Sequence, residues 1–305
     1  MTKVTRVFIL GSGFSAEAGA PLSSQILKRI FSPENQNNRL WRLYEWLDTR
    51  LFAARPGWLG TTEFEEVLSR LNLFDYYVQE ASIRSGLEEN IDLLLREFIK
   101  LLDPLLLSPL PQVYSHFVNK LTVSDAILTF NYDLVLESAL EKAGMAYDYQ
   151  LPLWPGHPVS PNHSEIPVAK LHGSINIAHC SKCNRLYYLN RPFSGEGKEQ
   201  GPFIIPPTLF KSYSLPALRR LWYLAYCQLR QAEEIIIIGY SLPSADILAA
   251  QLLFFAAQSK GLPRVTLVNG KASDERPFRD IFGDRLFNSR QTLPEWLGVE
   301  SKDQE

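Results

Sequence analysis

The chain has 305 residues, and its 31 lysines and arginines against 33 aspartates and glutamates give a formal net charge of −2 at pH 7. Hydrophobic residues make up 46% of the chain and charged residues 21%, which is typical of a globular protein and excludes a disordered, collagen-like or coiled-coil chain. The near balance of charge gives no general attraction to nucleic acid or to an anionic membrane, so neither is expected as a partner.

The cysteine count and the apolar runs indicate where the protein works. Three cysteines are too few for a disulfide framework and indicate a reducing compartment. The apolar run from Val7 to Leu10 is too short for a signal peptide. The run from Ile235 to Ile238 is far below the ~20 residues that a membrane span requires. We therefore expect a cytoplasmic protein.

The chain begins with a predicted strand and a predicted helix. The run from Val4 to Leu10 is rich in β-branched residues, and the glycines that follow predict a tight turn at its end. A helix is predicted from about Ala16 to Ile30. Pro33 and a polar stretch then end this first α/β segment.

The next part of the chain, from about residue 40 to residue 121, has a helical pattern. Its clearest helix carries apolar residues at a period of 3.6 residues, namely Leu87, Ile91, Leu94, Leu95, Phe98 and Leu102. This segment is predicted to be a helical subdomain inserted into an α/β framework.

Four later runs predict further strands of that framework: Asp125–Phe130, Pro167–Leu171, Glu234–Ile238 and Arg264–Val268. The last two are apolar without alternation, as in parallel strands that are covered on both faces. Between Pro152 and Pro216, prolines and glycines are dense and periodicity is weak, which indicates a small loop-rich module.

These elements predict an α/β fold, with a Rossmann-like parallel sheet, a helical insertion and a small loop-rich module. The Rossmann-like domain is expected over residues 1–35, 121–172 and 232–298. The helical insertion is expected over residues 36–120. The small module is expected over residues 173–231 and includes the Cys-x-x-Cys pair.

The glycine-rich segment after the first strand could bind phosphate. Its residues Gly11 to Ala16 match the pattern G-x-G-x-x-G/A loosely, and such glycines let a backbone approach a diphosphate at a helix N-terminus. A dehydrogenase would also have a second strand ending in an acidic residue roughly 20 residues further on. That region is predicted to be helical here. An ordinary strand–turn–helix connection remains the alternative.

Two other strand ends carry polar residues with possible chemistry. Asn131 and Asp133 lie in TFNYD, where they could face a ligand or could simply cap the next helix. His172 lies in KLHGS, and an imidazole can accept a proton near neutral pH, although a lone histidine is often structural. The segments GYSLP and VNG, which contain Gly239, Ser241 and Asn269, are ordinary turns when taken singly.

Taken together, the five segments GSGFSAEAGAP, TFNYD, LHG, GYSL and VNG resemble the sirtuin family of NAD-consuming proteins. That family carries GAGxSxxxGIP, TQNID, a catalytic histidine before glycine, GTSL and an asparagine at a strand end, in the same order. The resemblance spans roughly residues 4 to 270 with gaps.

The resemblance implies roles for these residues. Asn131 would hold the nicotinamide ribose and the attacking water, and His172 would deprotonate a ribose hydroxyl or the water. Asp133 would contact the carboxamide. The remaining implied NAD-binding residues lie in the glycine-rich loop and at the last two strand ends: Gly11, Ser12, Gly13, Phe14, Ser15, Gly239, Ser241 and Asn269.

Three departures from the deacetylase pattern accompany the resemblance. Leu22 to Gln25 stand where deacetylases carry Asp-Phe-Arg. Only one Cys-x-x-Cys pair is present, Cys180 and Cys183, with His179 as a conceivable substitute ligand, so zinc is not expected. The segment from Pro202 to Phe210 replaces the loop that docks acyl-lysine peptides, which argues against deacetylation.

The helical insertion, the segment FEEVLSRL and TFNYD are more similar to a bacterial sirtuin-like branch that hydrolyses NAD in antiphage defence. The leading hypothesis is therefore an NAD+ glycohydrolase that forms ADP-ribose and nicotinamide. The alternatives are a protein deacylase or ADP-ribosyltransferase, and a non-catalytic module that binds NAD or ADP-ribose. A homo-oligomer is expected, with a protein partner or a phage-derived activator.

Overall fold

The computed structural model describes residues 4–35, 37–78, 81–151, 165–180, 182–183, 185–189, 202–208, 211, 213–259, 261–270 and 275–299. The chain forms two units. The first contains Met1–Gly19, Ser108–Ile205 and Ser212–Glu305, and the second contains Ala20–Leu107 and Pro206–Lys211. The predicted division into three regions stays a prediction.

The apolar runs of the sequence form strands. The strands are β1 (Arg6–Leu10), β2 (Asp125–Thr129), β3 (Tyr147–Asp148), β4 (Ile166–Lys170), β5 (Gly173–Cys180), β6 (Arg185–Tyr188), β7 (Pro202–Ile204), β8 (Glu234–Ile238), β9 (Arg264–Val268) and β10 (Leu286–Asn288). Among the described residues, seven of them form one parallel sheet in the order β10-β9-β8-β1-β2-β4-β3. The central strands are buried without alternation, as expected for a sheet covered on both faces. The α/β, Rossmann-like fold class is confirmed.

Helices cover this sheet and make up the second unit. They are α1 (Ser12–Ser15), α2 (Ser23–Ile30), α3 (Asn38–Trp46), α4 (Phe64–Tyr77), α5 (Ala81–Lys100), α6 (Pro104–Leu107), α7 (Gln112–Val118), α8 (Val135–Lys142), α9 (Pro216–Gln231), α10 (Ile247–Ala257), α11 (Arg276–Phe282) and α12 (Leu293–Leu297). Helices α2 to α6 belong to the second unit. Among the described residues, none of the helices combines the length and the apolar character that crossing a membrane requires.

The single helix predicted from Ala16 to Ile30 is wrong. The chain forms the short α1, a 3-10 turn over Ala16–Ala18, and then α2, which begins only at Ser23. Gly19 ends the 3-10 turn in the left-handed region, with φ of 91°. Pro21 follows, and a proline cannot donate the backbone hydrogen bond that a continuous helix needs.

Five strands of the parallel sheet end in register at one edge. Their last residues form a continuous paired row, Lys170, Thr129, Leu10, Ile238 and Val268. Each of the five segments singled out in the sequence begins within two residues of this row. The chain also reverses its direction of strand addition between β1 and β8, where open α/β sheets bind ligands outside the carboxyl ends of their strands.

The second unit is a helical body with an aromatic core. Trp58 is fully buried and stacks on Phe52, with ring centroids 4.6 Å apart. Tyr44 stacks on the same indole at 5.7 Å, and the indole nitrogen donates a hydrogen bond to Asp48. Helix α5 buries Leu87, as its apolar period predicts.

The stretch after β4 contains a second, antiparallel sheet in the order β6-β5-β7. The sequence pattern predicted no strand in this stretch. Strand β5 is eight residues long and almost entirely buried, so it lacks the polar and apolar alternation by which a half-exposed strand is recognised. Of the loop-rich stretch predicted between Pro152 and Pro216, residues 152–164, 181, 184, 190–201, 209–210 and 212 lie outside the described residues.

Candidate active site

The glycine-rich loop after β1 packs directly on the loop after β8. The Gly13 N–H donates to the Gly239 carbonyl at 2.9 Å, and the Gly11 N–H donates to the carbonyl of Ile238 at 3.0 Å. A Cβ on Gly13 would lie 2.7 Å from the Gly239 Cα, and a Cβ on Gly11 would lie 2.5 Å from its oxygen. The close approach that these glycines permit is therefore to another loop of the same protein. Their predicted contact with a diphosphate stays a prediction.

Phe14 anchors this loop in the core. Its side chain is fully buried, and its ring packs edge-on against Tyr114 at 5.3 Å and Phe117 at 4.9 Å. The Tyr114 hydroxyl donates to the Phe14 carbonyl and accepts from the Ala18 N–H. Burial, followed by the nearby charge of Asp133, raises the pKa of Tyr114 well above its usual range, so the phenol stays a donor. Ser12 is half-buried beside this anchor.

A chain of hydrogen bonds joins this loop to TFNYD. The Asn131 amide nitrogen donates to the Gly11 carbonyl at 2.8 Å and to the Ser15 hydroxyl at 3.1 Å. That hydroxyl donates in turn to the Asp133 carboxyl at 3.0 Å. Because the amide nitrogen makes both of these contacts, the Asn131 amide oxygen points away from Gly11 and Ser15. It makes no hydrogen bond to the described residues.

Asp133 has a structural partner as well. Its Oδ1 accepts from the Val135 N–H at 3.0 Å, so Asp133, but not Asn131, contacts the start of α8 as the capping alternative predicted. Burial raises the pKa of the Asp133 carboxyl, and the positive charge of Lys170 and the two hydrogen bonds oppose that shift. The predicted contact of Asp133 with a carboxamide stays a prediction.

A buried ion pair lies behind this loop. The Lys170 ammonium donates to the Asp133 carbonyl at 2.6 Å and lies 3.1 Å from the Glu137 carboxylate. Tyr149 donates to the same carboxylate at 3.0 Å, and Asn176 on β5 donates to the Tyr149 hydroxyl. These contacts hold the backbone of TFNYD in place at the Asp133 carbonyl.

His172 leaves β4 beside the end of β2. Thr129 and Lys170 are paired, and the Leu171 N–H donates to the Thr129 carbonyl at 3.0 Å, so Asn131 and His172 each follow this pair by two residues. The imidazole is buried and packs edge-on against Phe130, with ring centroids 4.9 Å apart. Its Nε2 lies 3.6 Å from the Asp246 carboxylate, which is too long for a direct hydrogen bond.

The last two strand ends complete this edge. The Asn269 amide donates to the Tyr240 carbonyl, and its oxygen is buried without a hydrogen-bond partner among the described residues. Tyr240 stacks on Phe130 at 4.2 Å. Ser241 is exposed beside them. Asn269 therefore holds the GYSLP loop, and the contacts predicted for Asn269 and Ser241 with NAD stay predictions.

The segment that replaces the peptide-docking loop pairs with the site. Strand β7 lies beside β5, and the Ile205 N–H donates to the His172 carbonyl at 2.8 Å. The Tyr132 hydroxyl donates to the Ile205 carbonyl at 2.9 Å. The His172 carbonyl is therefore already hydrogen-bonded to the segment that follows β7.

The two cysteines of the small sheet lie together at a hairpin. Cys180 ends β5, and hydrogen bonds from Cys183 lower the pKa of its thiol. His179 precedes Cys180 on the same strand, so its side chain points to the opposite face, which argues against a shared metal site. Within the described ranges, no group of three or more histidine, cysteine or carboxylate side chains is arranged to hold a metal ion. The expected absence of zinc stays a prediction.

The structure brings the predicted catalytic and NAD-binding residues to one edge of the sheet. The two weak metal candidates lie elsewhere, Cys180 at the end of β5 and Cys183 in the turn before β6. Sequence reasoning missed Lys170, Tyr240 and Asp246. The signal for Asp246 was present, because a carboxylate after GYSLP precedes the helix that follows β8.

Solved structures of Sir2 proteins are similar to this chain. One comes from work on the mechanism and regulation of Sir2 enzymes, with 17% identity over 96% of this chain and 90% of that one and a TM-score of 0.46. A Sir2 homologue in complex with NAD has 17% identity over 96% and 86%, with a TM-score of 0.45. Sir2 with a p53 peptide and NAD+ has 16% identity over 96% and 90%, with a TM-score of 0.44.

A search of the curated proteins found no match. The model of the SIR2-like domain matches residues 125–280, just over half of the chain. This range contains TFNYD, LHG, GYSLP and VNG, so four of the five motifs lie within it, and the resemblance to sirtuins is confirmed. The chain belongs to the family of SIR2-like domains.

Proposed function

We propose that this protein is an NAD+ glycohydrolase, which cleaves the bond between nicotinamide and ribose to give ADP-ribose and nicotinamide. The observation that carries the proposal is the in-register edge of the sheet. Asn131 and His172 follow neighbouring strands by the same two residues, and the glycine-rich loop lies beside them. Membership of the SIR2-like family supports NAD as the substrate.

The proposed reaction needs no covalent bond between the substrate and the protein. The bond from ribose C1′ to the nicotinamide nitrogen breaks, and its electron pair leaves with nicotinamide, which becomes neutral. A water oxygen forms the new bond to C1′ and releases a proton. The transition state is cationic at the ribose, so the site must orient water and the sugar and must tolerate positive charge.

Two side chains have the chemistry for these tasks. The Asn131 amide nitrogen is held by Gly11 and Ser15, so the amide oxygen can accept a hydrogen bond from the water or from a ribose hydroxyl. His172 can accept the proton. The half-buried Ser12 and the exposed Ser241 are proposed to bind the diphosphate, and Asn269 the adenine-side ribose.

Hydrolysis fits this site better than removal of an acyl group from a peptide. The resemblance to sirtuin deacetylases implies that acyl-lysine peptides bind by strand addition. Here the chain supplies its own strand, because Ile205 bonds to the backbone of His172 and accepts from Tyr132. Water is the simpler second substrate for such a site.

The wider role follows from the resemblance to the bacterial antiphage branch. We propose that NAD+ loss serves antiphage defence and that a protein partner or a phage-derived molecule activates it. Bacteria that express the protein should then lose NAD+ and stop growing upon infection. Bacteria that express the Asn131→Ala variant should keep their NAD+ and should not stop growing in this way. Unchanged phage growth with the wild-type protein would refute this role without touching the enzymatic proposal.

The enzymatic proposal is tested with purified protein and NAD+ alone, with nicotinamide and ADP-ribose separated by chromatography. Asn131→Ala and His172→Ala should each reduce turnover at least about 100-fold. Asn119→Ala and His116→Ala are matched controls, because both residues are exposed on or just after α7, and they should leave turnover unchanged.

The same assay separates the alternatives. Turnover that appears only when an acetyl-lysine peptide is added would support the deacylase instead. A third outcome would support a non-catalytic binding module. In that case calorimetry shows binding of NAD+, but no product forms, either with the purified protein alone or after addition of an extract of infected cells.

A further inference from the structure

Asp246 occupies the N-cap of α10, but its side chain does not cap the helix. An aspartate in this position usually accepts a hydrogen bond from the backbone of the first helical turn. Here no such bond is made by the side chain, and only the backbone carbonyl accepts, from the Ala250 N–H. The carboxylate is directed elsewhere, although capping would satisfy a helix N–H.

The carboxylate instead faces two site residues. One oxygen accepts from the Tyr240 hydroxyl at 2.7 Å, and the other lies 3.6 Å from His172 Nε2. Asp246 is only 4% exposed, so its charge is weakly screened by solvent. Its backbone is also fixed, because the Asp246 N–H donates to the Pro243 carbonyl.

The imidazole of His172 lies among aromatic rings. Phe130 packs against its edge, Tyr132 lies 6.3 Å away at 29°, and Tyr240 stacks on Phe130. Among the described residues, Asp246 and Tyr132 are titratable groups that lie beside the imidazole, and Tyr240 lies one contact further away, on Phe130 and on the Asp246 carboxylate. Asp246 is the one carboxyl group among these three, so it is the group that can place a negative charge beside this ring.

We propose that Asp246 is a positioning residue for His172, an inference that rests on the proposed NAD+ hydrolysis and names a further residue of the same site. The carboxylate lies on the Nε2 side of the ring, so its charge favours a proton on that nitrogen and thereby favours one tautomer of His172. It also stabilises the imidazolium that forms when His172 takes the proton from water. Tyr240 holds the carboxylate in place.

The test uses Asp246→Asn, which keeps an oxygen to accept from Tyr240 but removes the charge. Asp280→Asn is the matched control, because Asp280 is an exposed aspartate on α11. The titration of the His172 ring is followed by NMR, with its signal identified by its loss in His172→Gln. In Asp246→Asn the midpoint should move to lower pH, since the imidazolium loses its counter-charge.

Turnover of NAD+ gives the second readout. In Asp246→Asn we expect kcat to fall about 10–100-fold with KM changed less than about twofold, because only the orientation and proton affinity of His172 are affected. The acid limb of the kcat profile should move to lower pH together with the NMR midpoint. Asp280→Asn should match the wild type in both readouts.

The outcomes separate the two proposals. An unchanged midpoint in folded Asp246→Asn overturns the role of Asp246, whatever the activity. If the midpoint of the His172 titration shifts but the wild-type protein never hydrolyses NAD+, the interaction of Asp246 with His172 is supported and the proposed function is refuted. If Asp246→Asn does not fold, Tyr240→Phe replaces it. A several-fold loss of kcat at constant KM then supports the proposal, and an unchanged kcat overturns it.

Discussion

Two halves of the same sheet edge are held together by different physics. On the backbone-packed side, which comprises Gly11 to Phe14 and Gly239 to Tyr240, main chains touch and leave no room for a Cβ. On the hydrogen-bonded side, which comprises Asn131, Asp133, Lys170 and His172, side chains and buried charges make the contacts.

The comparison teaches where changes will be tolerated. On the backbone-packed side the smallest enlargement disturbs the fold, so such variants say little about chemistry. On the hydrogen-bonded side, replacements of equal size can keep the fold and alter charge or hydrogen bonding alone. Variants on that side can therefore report on chemistry, provided that stability is measured beside activity.

The largest expected effect is on the backbone-packed side, in Gly239→Ala. The added Cβ would lie 2.2 Å from the Phe14 nitrogen, and Gly239 has φ of +62°. Backbone strain and overpacking together should lower the free energy of unfolding by about 4 kcal/mol or more in urea titrations. Gly261→Ala is the control, because a Cβ there meets nothing within 4 Å. Equal midpoints for the two variants would contradict the packing described.

The next effect is on the hydrogen-bonded side, in Lys170→Met. Lys170 and Glu137 are both nearly inaccessible to solvent, so removal of the ammonium leaves a buried carboxylate without its counter-charge. We expect a loss of about 3–4 kcal/mol in the free energy of unfolding. The double variant with Glu137→Gln should recover part of it, whereas exposed Lys142→Met should change little. Absence of any recovery would show that the pair is not coupled.

Much of the framework was predictable from the sequence, because buried parallel strands carry a plain signal. Glu234–Ile238 and Arg264–Val268 are strands with the predicted bounds, since glycine or a polar residue follows each apolar run. The single helix predicted from Ala16 to Ile30 was wrong, because Gly19 adopts a left-handed conformation and Pro21 interrupts the backbone hydrogen bonding before α2 begins.

The position of the site at the strand ends was predictable from the sequence, but the contacts among its side chains were not. Strand-end position brought Asn131 and His172 to one edge, as parallel topology requires. The partners of Asp246 and Lys170 are set by which strands become neighbours, and β4 and β8 are separated by two other strands in the sheet. A single sequence does not contain that order. Gly11 and Gly13 were interpreted from the sequence as residues that let the backbone approach a diphosphate. Their close contact with Gly239 was not predictable, because Gly239 lies more than 200 residues further along the chain.

A smaller effect concerns the pH dependence of the hydrogen-bonded side, in Asp133→Asn. Burial raises the pKa of Asp133, so the folded state holds the proton more tightly than the unfolded state does. The wild type should be most stable relative to Asp133→Asn below about pH 4, and should lose that advantage as the pH rises through the raised pKa. One proton limits the slope to about 1.4 kcal/mol per pH unit. Parallel urea titrations between pH 3 and pH 8 would measure it, and a difference that grows with pH in favour of the wild type would contradict the assignment.

The smallest expected effect is at the junction of the two sides, in Ser15→Ala. The hydroxyl accepts from Asn131 and donates to Asp133, and the Asn131 amide keeps its bond to Gly11 when the hydroxyl is removed. We therefore expect only about 1 kcal/mol of lost stability, with exposed Ser244→Ala as the control without effect. Turnover of NAD+ should nevertheless fall about 10-fold, since the amide oxygen of Asn131 is no longer fixed. A loss of stability without a loss of kcat would mean that Ser15 joins the two sides but does not orient Asn131.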